Sequence, residues 1–173
     1  MAAAFIVQDE DTPTADANAY ISVAFFRQYC LDRGYTYTAA DGVIQTGIVK
    51  ATDYIDARWR FAGLKYDESQ STEAPRQEVI NEAGYWVSGF PLAFEQACAE
   101  YAFAALTQTL MPSPTSDDSY RAVKSFSKAV GPISKSVEYV GSGKYQWPQY
   151  PLADKMMRRS ELVANVGGEL ARG

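Results

Sequence analysis

The sequence predicts a mainly α protein: a small helical bundle with an inserted short β-hairpin, an extended β-hairpin arm and a flexible C-terminal tail. Three observations lead there. Apolar residues recur at steps of three and four at Ile48, Ala51, Ile55, Trp59 and Ala62, and again at Phe94, Ala97, Cys98, Tyr101, Ala102 and Ala105. That is the spacing of helices that bury one face. The period switches to two in "AVKSFSKAVGPISKSVEYV" (122–140), as in paired strands. The closing "VANVGGELARG" (163–173) carries a diglycine and no packing pattern, which predicts a mobile end.

Taken in order, Ala3–Val7 reads as a short strand, followed by a solvated loop holding Asp9, Glu10, Asp11 and Asp16. Ser22 is a candidate N-cap for a first helix over 23–33, with Val23, Phe26 and Cys30, joined by Phe25 and Tyr29, on its apolar face. Gly34 suits the position just past its end. The loop "YTYTAADG" (35–42) leads into a second helix that should end near Gly63, braced by Asp56 and Arg60 at i,i+4. Its stripe assigns Ile48, Ala51, Ile55 and Trp59 to the core, and leaves Tyr54, Arg58 and the other charges as a surface.

"KYDESQSTEAPR" (65–76) reads as a polar connector running over the outside. "EVINEAGYWV" (78–87) reads as a short hairpin turning at Glu-Ala-Gly. Pro91 suits the first turn of a third helix, the best patterned of all, with Leu110 near its end. "MPSPTSDDSY" (111–120) is a loop by composition. The arm follows on both sides of Gly131-Pro132, and its Lys124, Lys128 and Lys135 discourage uncontrolled edge pairing. "LADKMMRRSEL" (152–162) makes a short basic helix. The expected organisation is one domain over 1–162 (bundle about 18–111, arm about 121–140, last helix about 151–162), then the tail 163–173.

Composition narrows function. With 173 residues, 47% of them hydrophobic, the chain can bury a real core. A net charge of −5 opposes binding to nucleic acid through phosphate neutralisation. The absence of histidine excludes Ser-His-Asp, Cys-His and His-zinc chemistry. Cys30 and Cys98 lack zinc spacing and are expected to be buried free thiols in a reducing compartment. The opening "MAAAFIVQDEDTPT" has no basic n-region and no apolar run reaches membrane length, so a cytosolic product without a membrane partner is expected. The 12 tyrosines fit either contact surfaces or the rim of the core.

No constellation carries chemistry. Asp53 with Asp56, and Glu95 with Glu100, read as solvated helix faces rather than acid–base pairs. "GSGK" (141–144) lacks the hydroxyl and the following helix of a phosphate loop, and reads as a hinge. Tyr54, Arg58, Trp59 and Arg60 could stack on bases, but Trp59 lies on the core stripe and the helix holds two acids. The expectation is therefore no catalytic residue, no metal ligand, no cofactor and no enzymatic activity. Charge is unevenly placed: the first 18 residues hold only acids, whereas from Lys155 onward four basic side chains face two acidic ones. Opposite charge at the two ends, an extended arm and a loose terminus suit head-to-tail assembly.

The pieces "ANAYISVAFFRQYCLDRGY", "KATDYIDARWRFAG", "EVINEAGYWVSGFPLAFEQACAEYAFAAL" and "VKSFSKAVGPISKSVEY", with Pro75-Arg76, Phe90-Pro91 and "YPLADKMM", carry a resemblance over 17–162. Their order is similar to that of the small head–tail adaptor proteins of tailed bacteriophages, many of which are labelled DnaT-like single-stranded-DNA-binding proteins. The resemblance implies a structural virion protein at the neck, assembled in the host cytoplasm. Copies would form a ring, twelvefold like the portal above it, and extend the DNA channel toward the tail. Implied partners are the portal ring, other copies of the chain, the next neck, stopper or tail-terminator protein, and passing double-stranded DNA without sequence-specific binding. Portal docking would fall to Val163, Val166, Glu169, Leu170, Arg172 and Gly173. Subunit or neck contacts would fall to Phe126, Lys128, Ile133, Tyr139, Trp147 and Tyr150. The alternative is a single-stranded-DNA-binding phage replication protein.

Overall fold

A computed structural model describes residues 4–112 and 148–164, and the backbone of 123–128 and 135–139. Among these residues the protein is mainly helical, with short antiparallel strand pairs. The helices are α1 (Val23–Asp32), α2 (Asp41–Arg58), α3 (Leu92–Thr107) and α4 (Pro151–Arg159). The strands are β1 (Leu64–Lys65), β2 (Arg76–Gln77), β3 (Val79–Ile80), β4 (Trp86–Val87), β5 (Val123–Lys128) and β6 (Lys135–Tyr139). They pair as β1–β2, β3–β4 and β5–β6, each antiparallel.

Two compact units result. One takes 1–110 and 150–173, and the other takes 111–149. In the first, α3 lies at the centre and packs against α2 and α4. Its buried face is Phe94, Ala97, Cys98, Ala99, Tyr101 and Ala102; the expected stripe is there except that Ala99 joins it and Ala105 is only half-buried. Small alanines let α2 come close: Gly47 of α2 is buried, and a Cβ there would lie 2.7 Å from Leu106 Cδ2 and 3.3 Å from Ala102 O. Aromatic rings fill the centre edge to face, with Tyr20 against Phe90 and Phe94, and Phe94 against Phe61.

α1 begins where expected. The Ser22 side chain accepts from Phe25 N at 3.1 Å, and Gly34 adopts φ +67° past the helix end. α4 opens on Pro151 as its first residue, and Ala153, Asp154 and Met157 face inward. In the second unit β5 and β6 form the two-stranded arm, with Phe126 opposite Val137 and Lys128 opposite Lys135.

Two expectations are corrected. α2 stops at Arg58 rather than near Gly63. Trp59 is extended, and Ala62 N donates to Leu162 O at 2.8 Å while Ala164 N donates to Arg60 O at 2.7 Å. Phe61 and Val163 thereby form an antiparallel bridge, so pairing with the chain's end takes the backbone groups that a longer helix would have used. The connector 65–76 is not all surface. Gln70, Thr72, Ala74 and Arg76 are buried, and Gln70 Nε2 donates to Thr72 O (2.9 Å) and Pro75 O (3.2 Å). The polar side chains that made it look solvated satisfy the backbone of a tucked-in loop, which contains a cis Ala74-Pro75 bond.

Candidate functional site

The segment 50–60 gathers most of the ionisable groups that sequence reasoning weighed, and the structure turns Tyr54, Asp56 and Arg58 inward while Lys50, Asp53 and Arg60 stay exposed. Tyr54 is buried and Arg58 half-buried, so these two are not the surface that the helical stripe suggested. Arg58 Nη2 reaches Asp154 Oδ2 of α4 at 2.6 Å, and Arg58 also donates to the Tyr54 hydroxyl. Tyr101 of α3 donates to Asp154 Oδ1 at 2.5 Å and accepts from Trp59 Nε1 at 3.2 Å. Asp154 is thus held by α2 and α3 together. Burial, then the hydrogen bond to Asp154, push the Tyr101 hydroxyl well above its usual range, so it stays a donor. Such a network fixes how three helices meet; it presents no free base.

Asp56 does not pair with Arg60. It accepts from the Tyr20 hydroxyl and, through Oδ2, from Glu73 N at 3.2 Å. The same Tyr20 oxygen accepts from Ala74 N at 3.0 Å. Helix α2 therefore clamps the segment before β1's partner strand. Desolvation outweighs these donors and raises the Asp56 carboxyl to about 6. Asp53, which sequence reasoning placed beside it, is exposed and the two do not act as a pair.

Glu100 likewise serves the interior. It accepts from the Tyr29 hydroxyl at 2.6 Å and the Tyr35 hydroxyl at 3.0 Å, tying α1 and the loop after it to α3. The Glu95 carboxyl is raised by desolvation and then by the charge of Glu10. Cys30 and Cys98 are buried free thiols, and burial pushes both upward, Cys98 furthest.

An open groove of about 440 Å³ lies along the end of α1, lined by residues that include Phe26, Arg27, Cys30, Leu31 and Tyr37. Its cation, Arg27, is already bound to Asp41 at 2.6 Å and to Ala39 O at 2.8 Å. No carboxylate lines it, so it holds no acid–base pair. Among the described residues no cluster of His, Cys, Asp or Glu could hold a metal ion. No helix among them is long and apolar enough to cross a membrane.

Of the residues expected to dock a portal, Val163 is buried and bridged to Phe61; Val166, Glu169, Leu170, Arg172 and Gly173 lie outside the described residues. Of those expected to touch neighbours, Phe126 and Lys128 stand on β5 and Tyr139 on β6, on one strand pair, with Tyr139 opposite Val123 and Lys128 opposite Lys135 at its other end. Ile133 and Trp147 lie outside the described residues. Tyr150 is buried at the start of α4 and donates to Leu110 O at 3.3 Å. Neither Val163 nor Tyr150 offers an exposed side chain to a partner. What sequence reasoning missed is the outward face of the β3–β4 hairpin, where Ile80, Tyr85 and Trp86 are exposed. The signal was present in "EVINEAGYWV", whose apolar residues exceed what one buried face of so short a hairpin can absorb.

The fold and its interior define a helical protein in which Asp56, Arg58, Glu100 and Asp154 are used as ties between elements. The chain belongs to the family described as "Putative DnaT-like ssDNA binding protein", which matches residues 3–171. No curated protein and no solved structure matches it.

Proposed function

We propose that the chain is a structural virion protein: a non-enzymatic adaptor whose copies form a ring below the phage portal, extend the DNA channel and join capsid to tail. The observation that carries this reading is the fate of the ionisable residues. Arg58, Asp56, Glu100 and Asp154 are each bound between elements of the body. The groove beside α1 is lined by no carboxylate, whereas acid–base work uses a split pair of titrating groups. The two-stranded arm of the second unit suits contacts with neighbours, and the net charge of −5 suits a conduit wall that DNA slides past without being held. The partners are the portal ring, further copies and the next neck protein, at the head–tail interface of the virion.

The second reading is single-stranded-DNA binding, favoured by the family's description and by the exposed aromatics of the β3–β4 hairpin. Against it, no lysine or arginine occurs between Arg76 and Arg121, so the hairpin lacks cations for phosphates.

The experiment is binding to the cognate portal ring, by sedimentation and negative-stain imaging. The full chain is compared with a version truncated after Ala164, which keeps the pairing of 60–62 with 162–164. Ring-shaped density with the full chain, lost on truncation, is the expected result and locates the anchor beyond Ala164. Density that survives truncation keeps the adaptor and moves its anchor. No binding to an intact portal, together with oligonucleotide binding that weakens steeply as salt rises, would overturn the reading in favour of the second.

A further inference from the structure

The β3–β4 hairpin has two unlike faces. Val79 is buried and its partner Val87 half-buried, whereas the directly opposed Ile80 and Trp86 are 56% and 69% exposed, with Tyr85 beside them at 72%. The turn that displays them is pinned. Asn81 Oδ1 accepts from Ala83 N at 3.1 Å and from Tyr85 N at 2.8 Å. Asn81 N donates to Tyr85 O at 2.8 Å, Gly84 N donates to Asn81 O at 2.9 Å, and Gly84 takes φ +86°. Aromatic rings held out on a fixed turn lose little freedom on docking, so more of their burial energy appears as affinity. The charges carried by 78–87 are both acidic, Glu78 and Glu82; Glu78 is exposed and makes no ion pair among the described residues.

The same body carries the complement. α4 buries Ala153, Asp154 and Met157 and leaves Leu152, Lys155 and Arg159 exposed at steps of three and four, one helical stripe. Leu152 is 49% exposed. Lys155 and Arg159 make no ion pair among the described residues, and Arg158 beside them lies 5.6 Å over the Trp59 ring. An apolar side chain flanked by long cationic stems is what an acidic, aromatic hairpin fits. A phosphate backbone fits the cations of α4, but not the hairpin.

We infer that the β3–β4 hairpin of one copy docks on the exposed α4 stripe of a second copy, with Ile80 and Trp86 against Leu152 and Glu78 toward the cations of Lys155 and Arg159. Each copy uses its hairpin once and its α4 once, so the contact is heterologous and adds copies in one direction until the rotation closes a ring. The inference rests on the ring-forming reading above and names the surface that would serve it.

The test is sedimentation velocity over a concentration series at low and high salt, with three proteins whose folding is checked by circular dichroism and Tm. The wild type is expected to associate, less so at high salt. Trp86→Ser and the double variant Lys155→Glu/Arg159→Glu are each expected to associate at least tenfold more weakly. Mixed together, these two should recover a dimer and nothing larger, because one intact hairpin then meets one intact α4. A wild type that stays monomeric throughout, a Trp86→Ser variant that associates normally, or a mixture that recovers nothing would each overturn the inference. So would binding of an oligothymidylate that depends on Trp86. Portal rings decorated equally by wild type and Trp86→Ser would overturn it while leaving the adaptor reading intact. Wild type that self-associates as expected but leaves the portal bare would do the reverse.

Discussion

Arg58 near the end of α2 and Asp154 in the first turn of α4 lie 96 positions apart and meet at 2.6 Å, with little of either side chain in water. Tyr101 completes the junction on the carboxylate's other oxygen. Removing one member of a largely buried pair leaves the other charged and poorly solvated, at a cost of about 3 kcal/mol. Asp154→Ala should therefore lower Tm by roughly 6–12 °C, measured by differential scanning calorimetry. Leu152→Ala on the exposed face of the same helix should leave it within about 2 °C. Equal effects of the two would mean that α4 is not held by this junction.

The Asp56 carboxyl titrates at about 6 in the folded protein, against an ordinary 3.8. A raised folded value means that the native state binds the proton more tightly than the unfolded chain does. This contribution is fully present below about pH 4 and is lost as pH rises through 6, by about 2 kcal/mol after allowance for solvent screening. Asp56→Asn should flatten that part of the pH dependence. Urea midpoints at pH 4.5, 5.5, 6.5 and 7.5 test it, as roughly spaced points across the window. Wild-type minus variant stability should fall with pH, and a difference that stays constant would show that the carboxyl is not raised.

Two glycines should respond to alanine to different degrees. Gly63 takes φ +66°, and a Cβ there would overlap the Gln77 carbonyl oxygen and come within 2.7 Å of Val79 Cγ2. Gly63→Ala should destabilise by at least about 2 kcal/mol, since strain and overlap act together. Gly47 is helical, and its added Cβ would meet Leu106 Cδ2 at 2.7 Å and Cγ at 2.8 Å, with Ala102 O at 3.3 Å, so the partly buried Leu106 side chain must turn about its first bond. The gain in helix propensity is about 1 kcal/mol, so Gly47→Ala should stay within about 1 kcal/mol of wild type. Chemical denaturation of both variants checks the pair.

Cys98 is buried on the central helix, and its thiol is pushed well above the usual range by desolvation and then by Asp56 and Glu95. A thiol that cannot form thiolate in the folded state is unreactive. Native protein at pH 8 should leave Cys98 unlabelled by a disulfide reagent, and guanidinium should expose both cysteines. Labelling of native Cys98 within minutes would show that α3 opens readily.

Much of this architecture was legible because periodicity reports burial directly. The Phe94–Ala102 stripe, the Ser22 cap and the hairpin at 78–87 are local facts, set by residues within a turn or two of one another. The failures share a cause. Tyr54, Arg58 and Asp56 looked like surface because their types are amphipathic or charged, and their partners Asp154, Tyr101, Tyr20 and Glu73 lie far off in sequence. The end of α2 was misplaced for the same reason, since Leu162 and Ala164 take over the backbone of Arg60 and Ala62. The surplus of apolar residues in 78–87 signalled an exposed face, but not that Trp86 stands on it. A tryptophan in a short alternating run signals a buried face as readily as an open one, and only the opposed Val79 and Val87 decide which.

The body is assembled from two stretches of chain that part at Leu110 and rejoin at Tyr150, where the Tyr150 hydroxyl donates back to the Leu110 carbonyl. Departure and return are thus fastened together by the body's own atoms, and the ends of any replacement begin close to each other. Closing a loop costs only slightly more as it lengthens, so 111–149 is a cassette. A change in its length should leave the helices that carry it in place, so long as Tyr150 still meets Leu110.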